Sequence, residues 1–374
     1  MSDAETAILF SEEQAQLLET AEAFARDKFP MDRVRARIAA AEDFDPSMWR
    51  EIAALGWLGV AVDEAIGGSG LGLGEVVAVV EPLGRHLAGA PFMSTTLAAQ
   101  ALMWAGNEAQ KRQWLPKLCE GAVAALALTE PHGDWNLENL TTTVTENGDT
   151  LMLSGTKTFA TDAASADIVI ASALYHGAPA LVLLEKAMLA AARIEREIVV
   201  DETRRSYRID MNGVGAPKSA LLNQPETRAT LAHIDHAACL LLAAEMCGAT
   251  GGVIAATVEY LRTRKQFDRP IGSYQALKHP MVDALIAYEG ARSHLYHAAG
   301  MFGQGVEGEI AVRMAKAMAG DALAFASDRA IQFHGGFGFT YDCDAHLYRR
   351  RGLWCEAQHG DAAYQRRRLA NLIF

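Results

Sequence analysis

The sequence predicts an α+β protein in three consecutive parts: an N-terminal helical domain over residues 1–119, a central β-barrel or sheet domain over 120–228, and a C-terminal four-helix bundle over 229–374. Three observations predict it. Apolar residues recur at helical spacing as far as about residue 118. The period then shortens to that of strands, with turn signals between the runs. From about residue 229 the helical period returns and lasts to the end.

Taken in order, Ser11 before Glu12 and Glu13 supplies an N-cap with acids in the first turn, and Leu17, Leu18, Ala21, Phe24 and Ala25 follow at helical spacing. Asp45-Pro46 starts a second helix whose apolar side is Trp49, Ile52, Ala53 and Leu55, and Gly56 stops it. Residues 75–88 and 94–105 continue the pattern. In the middle part, Thr141–Thr145, Asn147-Gly148 and Thr150–Ser154 read as a hairpin, because an Asn-Gly pair accepts the positive φ of a tight turn. Ile168–Ala173 and Ala180–Leu184 are short apolar runs bounded by Asp167 and by Gly177 and Pro179, the pattern of buried strands. Residues 186–197 look helical within this strand-rich part and are left unassigned. Residues 236–261 form a helix apolar on nearly every side, with Gly248, Gly251 and Gly252 along it, so it must be buried among others. Residues 275–300, 308–333 and 357–372 supply those neighbours.

Composition limits the partners. The chain has 374 residues, is 50% hydrophobic and carries a formal net charge of -12, a field that repels nucleic acid and anionic lipid. The runs Arg349-Arg350-Arg351 and Arg366-Arg367-Arg368 read as solvated faces at helix ends. None of the five cysteines forms a CxxC pair and no His/Cys cluster has zinc spacing, so no metal is expected and a reduced, cytoplasmic setting is. Met1 to Phe10 contains acids and no long apolar core, unlike a signal peptide. No run approaches about 20 uninterrupted apolar residues, so no membrane span is expected. The Gly67–Gly74 stretch imitates a dinucleotide loop, but helices flank it and no βαβ unit follows, so it reads as a turn between helices.

Four segments in this order resemble the acyl-CoA dehydrogenase family across nearly the whole chain: Ala127–Pro131, Ser154–Thr161, Tyr260–Phe267 and Gln332–Gly338. The resemblance implies FAD as cofactor and oxidation of an acyl-CoA thioester to the α,β-enoyl-CoA. It implies that Thr129 at the Thr-Glu-Pro strand edge offers its backbone and hydroxyl to the flavin ring, and that Phe159 packs on the ring while Thr161 hydrogen-bonds it. Arg264 and Phe267 match an arginine and a phenylalanine that reach the FAD of a neighbouring subunit, where a guanidinium fork suits a pyrophosphate. Gln332 lies in the last motif, and Gly335 and Gly336 match glycines that admit the adenosine part close to the backbone. From residue type alone, each of these is an ordinary strand-end, core or turn residue; their joint order carries the assignment.

The pattern departs from the family in places. After Thr-Glu-Pro the chain reads His132-Gly133-Asp134, shorter than the family's Gly-Ser-Asp and without its phosphate-binding serine. Asp268 stands where glycine is expected, so it must face water or pair with Arg269 to leave a pyrophosphate site intact. The family draws its general base, which removes the α-proton as hydride leaves the β-carbon, from a Tyr-Glu-Gly segment or from early in the long helix. Here those places hold Gln358 or His359, and Ala238, while the arginine that steers the CoA arm falls on Cys239. Glu245, two turns beyond Ala238, is the leading candidate base, with a structural hydrogen-bond role as its alternative; Asp361, Glu356 and His359 follow.

The last segment, from Gly360-Asp361, resembles the branch of pimeloyl-CoA dehydrogenase small subunits and heteromeric steroid side-chain acyl-CoA dehydrogenases. That resemblance implies a homo- or hetero-tetramer with a related subunit and an electron-transfer flavoprotein or similar acceptor. Two other readings are a non-catalytic subunit that completes a partner's cofactor site, and a flavin oxidase or oxygenase of the same fold.

Overall fold

The computed structural model describes residues 11–40 and 42–374; the segment Met1–Phe10, read above as no signal peptide, lies outside them. In chain order the helices of the first part are α1 (Glu12–Lys28), α2 (Met31–Ala39), α3 (Pro46–Ala54), α4 (Leu73–Arg85), α5 (Phe92–Ala105) and α6 (Glu108–Cys119). The strands are β1 (Ala124–Ala127), β2 (Thr143–Asn147), β3 (Thr150–Ser154), β4 (Thr156–Thr161), β5 (Ile168–Tyr175), β6 (Ala178–Glu185), β7 (Arg193–Arg196), β8 (Ser206–Asp210) and β9 (Val214–Pro217). Helix α7 (Thr227–Thr263) leads to a small hairpin of β10 (Lys265–Gln266) and β11 (Arg269–Pro270), then to α8 (Gln275–Met301), α9 (Gly305–Phe333), α10 (Ala345–Ala357) and α11 (Ala362–Ile373). The order is helical, β, helical.

Local signals did what their chemistry predicts. Ser11 and Gln14 form a reciprocal capping box on α1, and Asp45 caps α3 through the backbone N–H groups of Ser47 and Met48. Gly56 follows α3 in the left-handed region at φ 74°. The glycine-rich stretch before α4 is a turn, as expected. Two sequence expectations shift in detail. Asn147 pairs with Thr150, so the β2–β3 turn is centred on Gly148-Asp149, with Gly148 at φ 63° in the first central position, where a type II′ turn takes glycine. The ambiguous stretch 186–197 resolves into a short 3-10 turn, Met188–Ala191, followed by β7.

The chain gathers into two compact units, one of Arg35–Gly72 with Gly89–Ala238, the other of the residues up to Val34 with Leu73–Ala88 and Cys239–Phe374. In the first, β1 and β2 lie parallel along one edge of β5 and β6 runs antiparallel along the other, while β3 and β9 extend the sheet beyond β2. A second sheet has the order β4-β8-β7. Ile168 and Ile170 of β5 and Leu181 and Leu183 of β6 form one core with Leu102 of α5 and Trp114, Leu115 and Leu118 of α6. The opposite-facing Val169, Ala171, Val182 and Leu184 are also buried, so these strands read as unbroken apolar runs.

In the second unit, Cys239 to Val253 of α7 is buried throughout. The helix is long and apolar enough by composition to cross a membrane, yet 94% of its most apolar stretch is buried in the protein. Its glycines are the reason α4 can approach so closely. A Cβ on Gly248 would lie 1.8 Å from the Glu81 carbonyl oxygen, one on Gly252 2.5 Å from that of Arg85, and one on Gly84 2.3 Å from that of Glu245. Because the obstacle is backbone, no rotamer change relieves it. Gly248→Ala is expected to cost at least about 1–3 kcal/mol, read as a lower urea midpoint.

The run Arg349-Arg350-Arg351 is not a solvated helix end. It lies inside α10, and Arg351 is fully buried because that turn faces Glu245 of α7. Arg349 meets Asp328 at 2.9 Å, and Arg350 donates to the Tyr341 hydroxyl at 3.1 Å. Arg366, Arg367 and Arg368 are exposed, as expected.

Candidate functional site

The first two motifs are fastened to each other within the β unit. The Thr129 hydroxyl donates to the Thr158 carbonyl at 2.6 Å, and the Thr158 N–H returns a bond to the Thr129 carbonyl at 3.0 Å. Beneath them Lys157 is wholly buried and places Nζ 2.8 Å from Glu130 Oε1 and 3.0 Å from the Ser172 hydroxyl. Glu130 also accepts from the backbone N–H groups of Thr141 (2.7 Å) and Thr142 (3.0 Å) and from the Thr141 hydroxyl. Burial alone would raise the Glu130 carboxyl, but Lys157, Thr141 and Thr142 outweigh it and hold it at about 2. Burial draws the Lys157 ammonium down to about 8, against the pull of Glu130, so both groups are charged at neutral pH. Nothing local in the sequence marks this pair, whose members lie 27 positions apart.

Phe159 lies two residues beyond Lys157 on β4. The register between β4 and β8 shifts between Lys157 and Ala160, and Phe159 stands in that bulge at φ 53° with its ring side exposed. A bulge of this kind re-aims one side chain out of a sheet. Its N–H donates to Glu197 Oε2 at 2.9 Å, which fixes the bulge. Thr161, at the end of β4, is half-buried and pairs with Ser206. Thr129 keeps only acceptor capacity for a ligand, because its hydroxyl hydrogen is committed to Thr158. The Thr158 hydroxyl is buried with no hydrogen-bond partner. Asp134, in the shortened segment after Thr129-Glu130-Pro131, accepts from Asn136 and Asn139 in a local turn.

The third and fourth motifs are likewise joined, within the other unit. Tyr260, near the end of α7, stacks on His334 with ring centroids 4.1 Å apart and planes 23° apart. His334 Nδ1 donates to the Ala330 carbonyl at 2.7 Å, which locks the ring against the end of α9. Gln332 and the Gly335-Gly336 turn that follows are exposed. Gly335 has φ 62°, and a Cβ on Gly338 would lie 2.2 Å from the Ile331 carbonyl oxygen, so the fold itself requires glycine at both. Gly336 has neither reason: no atom lies within 4 Å of its notional Cβ. The space there is open to a ligand.

Arg264 is exposed and opens the β10–β11 hairpin. Phe267 and Asp268 form its two-residue turn at φ 51° and 65°, and Phe267 is 87% exposed. Two left-handed residues without glycine are strained, and that strain explains why glycine would suit position 268. Asp268 faces water, while Arg269 lies over the Tyr274 ring at 4.1 Å. Asp268→Gly is expected to raise stability by about 1 kcal/mol, read as a higher melting temperature.

Glu245, the leading candidate base, is engaged by neighbouring side chains. It is buried, bonded to Arg351 through Oε1 and to the Cys355 thiol at 3.5 Å through Oε2. Arg351 further donates to the Leu87 carbonyl at 3.3 Å. Asp361 caps α11 through the Tyr364 N–H at 2.7 Å. Cys239 is buried and receives the Gln365 amide at 3.6 Å.

Family models match in the same order as the motifs: the acyl-CoA dehydrogenase N-terminal domain over residues 11–122, its middle domain over 125–209 and its C-terminal domain over 230–373. The chain belongs to the acyl-CoA dehydrogenase family. It is an oxidoreductase of that family, which is FAD-dependent. Acyl-CoA dehydrogenase IpdE2 of Mycobacterium tuberculosis is 31% identical over 352 residues, covering 94% of this chain and 92% of that one. Among solved structures, a variant of the Tcur3481-Tcur3483 steroid ACAD is 31% identical, with TM-score 0.86 over 97% of this chain and 98% of the other. The ChsE4-ChsE5 complex from Mycobacterium tuberculosis is 25% identical, with TM-score 0.88 over 97% of each. The acyl-CoA dehydrogenase architecture of helical, β and helical domains is thus shared along almost the whole chain.

Proposed function

We propose that this chain binds FAD and oxidises an acyl-CoA thioester to its α,β-enoyl-CoA, working in a tetramer with a related subunit and passing electrons to an electron-transfer flavoprotein or similar acceptor. The observation that carries the reading is the pairing of the four motifs: Thr129–Thr158 with Lys157–Glu130 in one unit, and Tyr260 on His334 in the other. Neither pairing follows from the presence of the motifs alone. The residues fit the cofactor. An out-turned aromatic at Phe159 beside an orphaned Thr158 hydroxyl suits the rim of a flat heteroaromatic ring. The exposed Arg264 suits a pyrophosphate, and the open space at Gly336 suits an adenosine group.

In this reading Thr129, Phe159 and Thr161 orient the ring, and Arg264, Phe267, Gln332, Gly335 and Gly336 hold the remainder of the cofactor, those of the hairpin reaching the FAD of a neighbouring subunit. Bound FAD supplies the two-electron acceptor. The chain's own part is to fix the ring and to take one proton from the α-carbon. The likeness to a steroid ACAD makes a steroid-derived acyl-CoA the first substrate to test, and the likeness to the ChsE4-ChsE5 complex supports an unlike partner. A second reading, a subunit that lends binding residues and does no chemistry, draws on the engagement of Glu245 by Arg351.

The test is to purify the protein alone and with the product of a neighbouring gene, then add acyl-CoA without oxygen. A yellow protein whose flavin absorbance bleaches is expected. Colourless protein in every combination contradicts the reading.

A further inference from the structure

The end of β4 carries a buried acid that the cofactor reading does not use. Asp162 follows Thr161 directly, is 8% exposed and sits at φ 62°. Its N–H donates to the Arg205 carbonyl at 2.8 Å, and its carbonyl accepts from the Ser165 N–H at 3.1 Å, so the backbone is fixed on both sides. Aspartate tolerates the left-handed region, but asparagine or glycine would do so without burying a charge.

The carboxyl is poorly served. Among the described residues its one hydrogen bond comes from the Ser94 hydroxyl of α5, 2.7 Å from Oδ2. An ionised carboxylate has room for about four. Asp43, between α2 and α3, takes the Ser165 and Tyr207 hydroxyls and lies 4.0 Å from Arg205 Nε. Arg204 is shared with Asp201, 4.0 Å away. Burial outweighs the Ser94 bond and the pull of Arg204 and Arg205. With Asp43 adding a like charge, it pushes the Asp162 carboxyl up to about 6. Ser94 can serve both protonation states, because its hydroxyl oxygen also lies 3.1 Å from the Pro91 carbonyl. Opposite ionised Asp162 the hydroxyl donates to the carboxylate. Opposite the neutral acid it donates to Pro91 and accepts from the carboxyl. Neither state requires a heavy atom to move.

We propose that Asp162 is a proton switch behind Thr161: its carboxyl takes up and releases one proton while Ser94 reverses its hydrogen bond, which changes the charge beside the flavin site without moving the strand. The proton is exchanged with solvent, and no bond other than O–H forms or breaks. The switch stands on Asp162 and Ser94; its effect on the flavin rests on the FAD binding proposed above.

Two measurements test these separately. The first is urea unfolding of flavin-free protein from about pH 3.5 to 8. The folded carboxyl lies above its ordinary 3.8, so its contribution to stability is complete below that value and is lost as pH rises through about 6. Asp162→Asn keeps an acceptor for Ser94 and suits the left-handed backbone. Relative to it, the wild-type folding constant is expected to fall by about 100-fold across that window. Ser94→Ala is expected to move the upper end of the fall to higher pH, since it removes the donor to the ionised form. A constant difference from Asp162→Asn, or a fall that Ser94→Ala leaves in place, overturns the switch. The second is the midpoint potential of flavin-loaded protein over the same pH range. Wild type and Asp162→Asn are expected to coincide below about pH 6 and to separate above it. There the wild type becomes harder to reduce, because a carboxylate opposes the negative charge that reduction adds. Coincidence at every pH overturns the effect on the flavin, whatever the unfolding shows. Protein that takes up no flavin overturns the FAD reading instead, and the unfolding series still decides the switch.

Discussion

Replacing Lys157 by methionine is expected to destabilise the β unit by about 3–5 kcal/mol and to strip the protein of flavin. The ammonium and the Glu130 carboxylate are both buried, 2.8 Å apart, and methionine leaves the carboxylate with backbone and hydroxyl donors and the His132 ring 3.9 Å away in place of the ammonium. The same pair holds Thr129 against Thr158, so loosening it also moves the strand edge that would face the ring. Lys157→Met with Glu130→Leu should recover part of the stability, because no lone charge remains, yet not the flavin. Urea unfolding and flavin absorbance report the two effects separately. Acid should act through the same group. The folded Glu130 carboxyl, at about 2, lies below its ordinary 4.5, so its stabilising contribution is complete above about pH 4.5 and is lost as pH falls from there toward 2. Glu130→Gln should flatten that limb of the stability profile.

Glu245→Gln is the second large effect, and its form decides what Glu245 does. The substitution takes the Glu245 charge away from the guanidinium of the fully buried Arg351, which is expected to cost about 3–5 kcal/mol in the helical unit. The rate of bleaching per bound flavin should be kept. A base at this position would give the reverse: stability intact and a rate lower by about 100-fold or more. Arg351→Met should reproduce the loss of stability, since it strands the carboxylate instead.

Much of the architecture was legible in local chemistry. The capping box of Ser11, the Asp45-Pro46 start and the small residues of α7 each state their geometry within a few positions of sequence. The four motifs were visible for the same reason. What stayed hidden depends on partners far along the chain. Three consecutive arginines read as a solvated face until Glu245, 106 positions away, is seen to face the third. Lys157 and Glu130, 27 apart, are each unremarkable until strand pairing buries them together. A one-residue shift in register, which sequence cannot fix, turns Phe159 out of its sheet and moves the β2–β3 turn to Gly148-Asp149.

Electron density of crystals grown with FAD tests the central claim most directly. The account predicts a tricyclic ring against Phe159, with Thr129 and Thr161 within hydrogen-bonding reach of its polar edge. Density showing that space filled by the protein's own side chains, or the ring bound elsewhere, would contradict it.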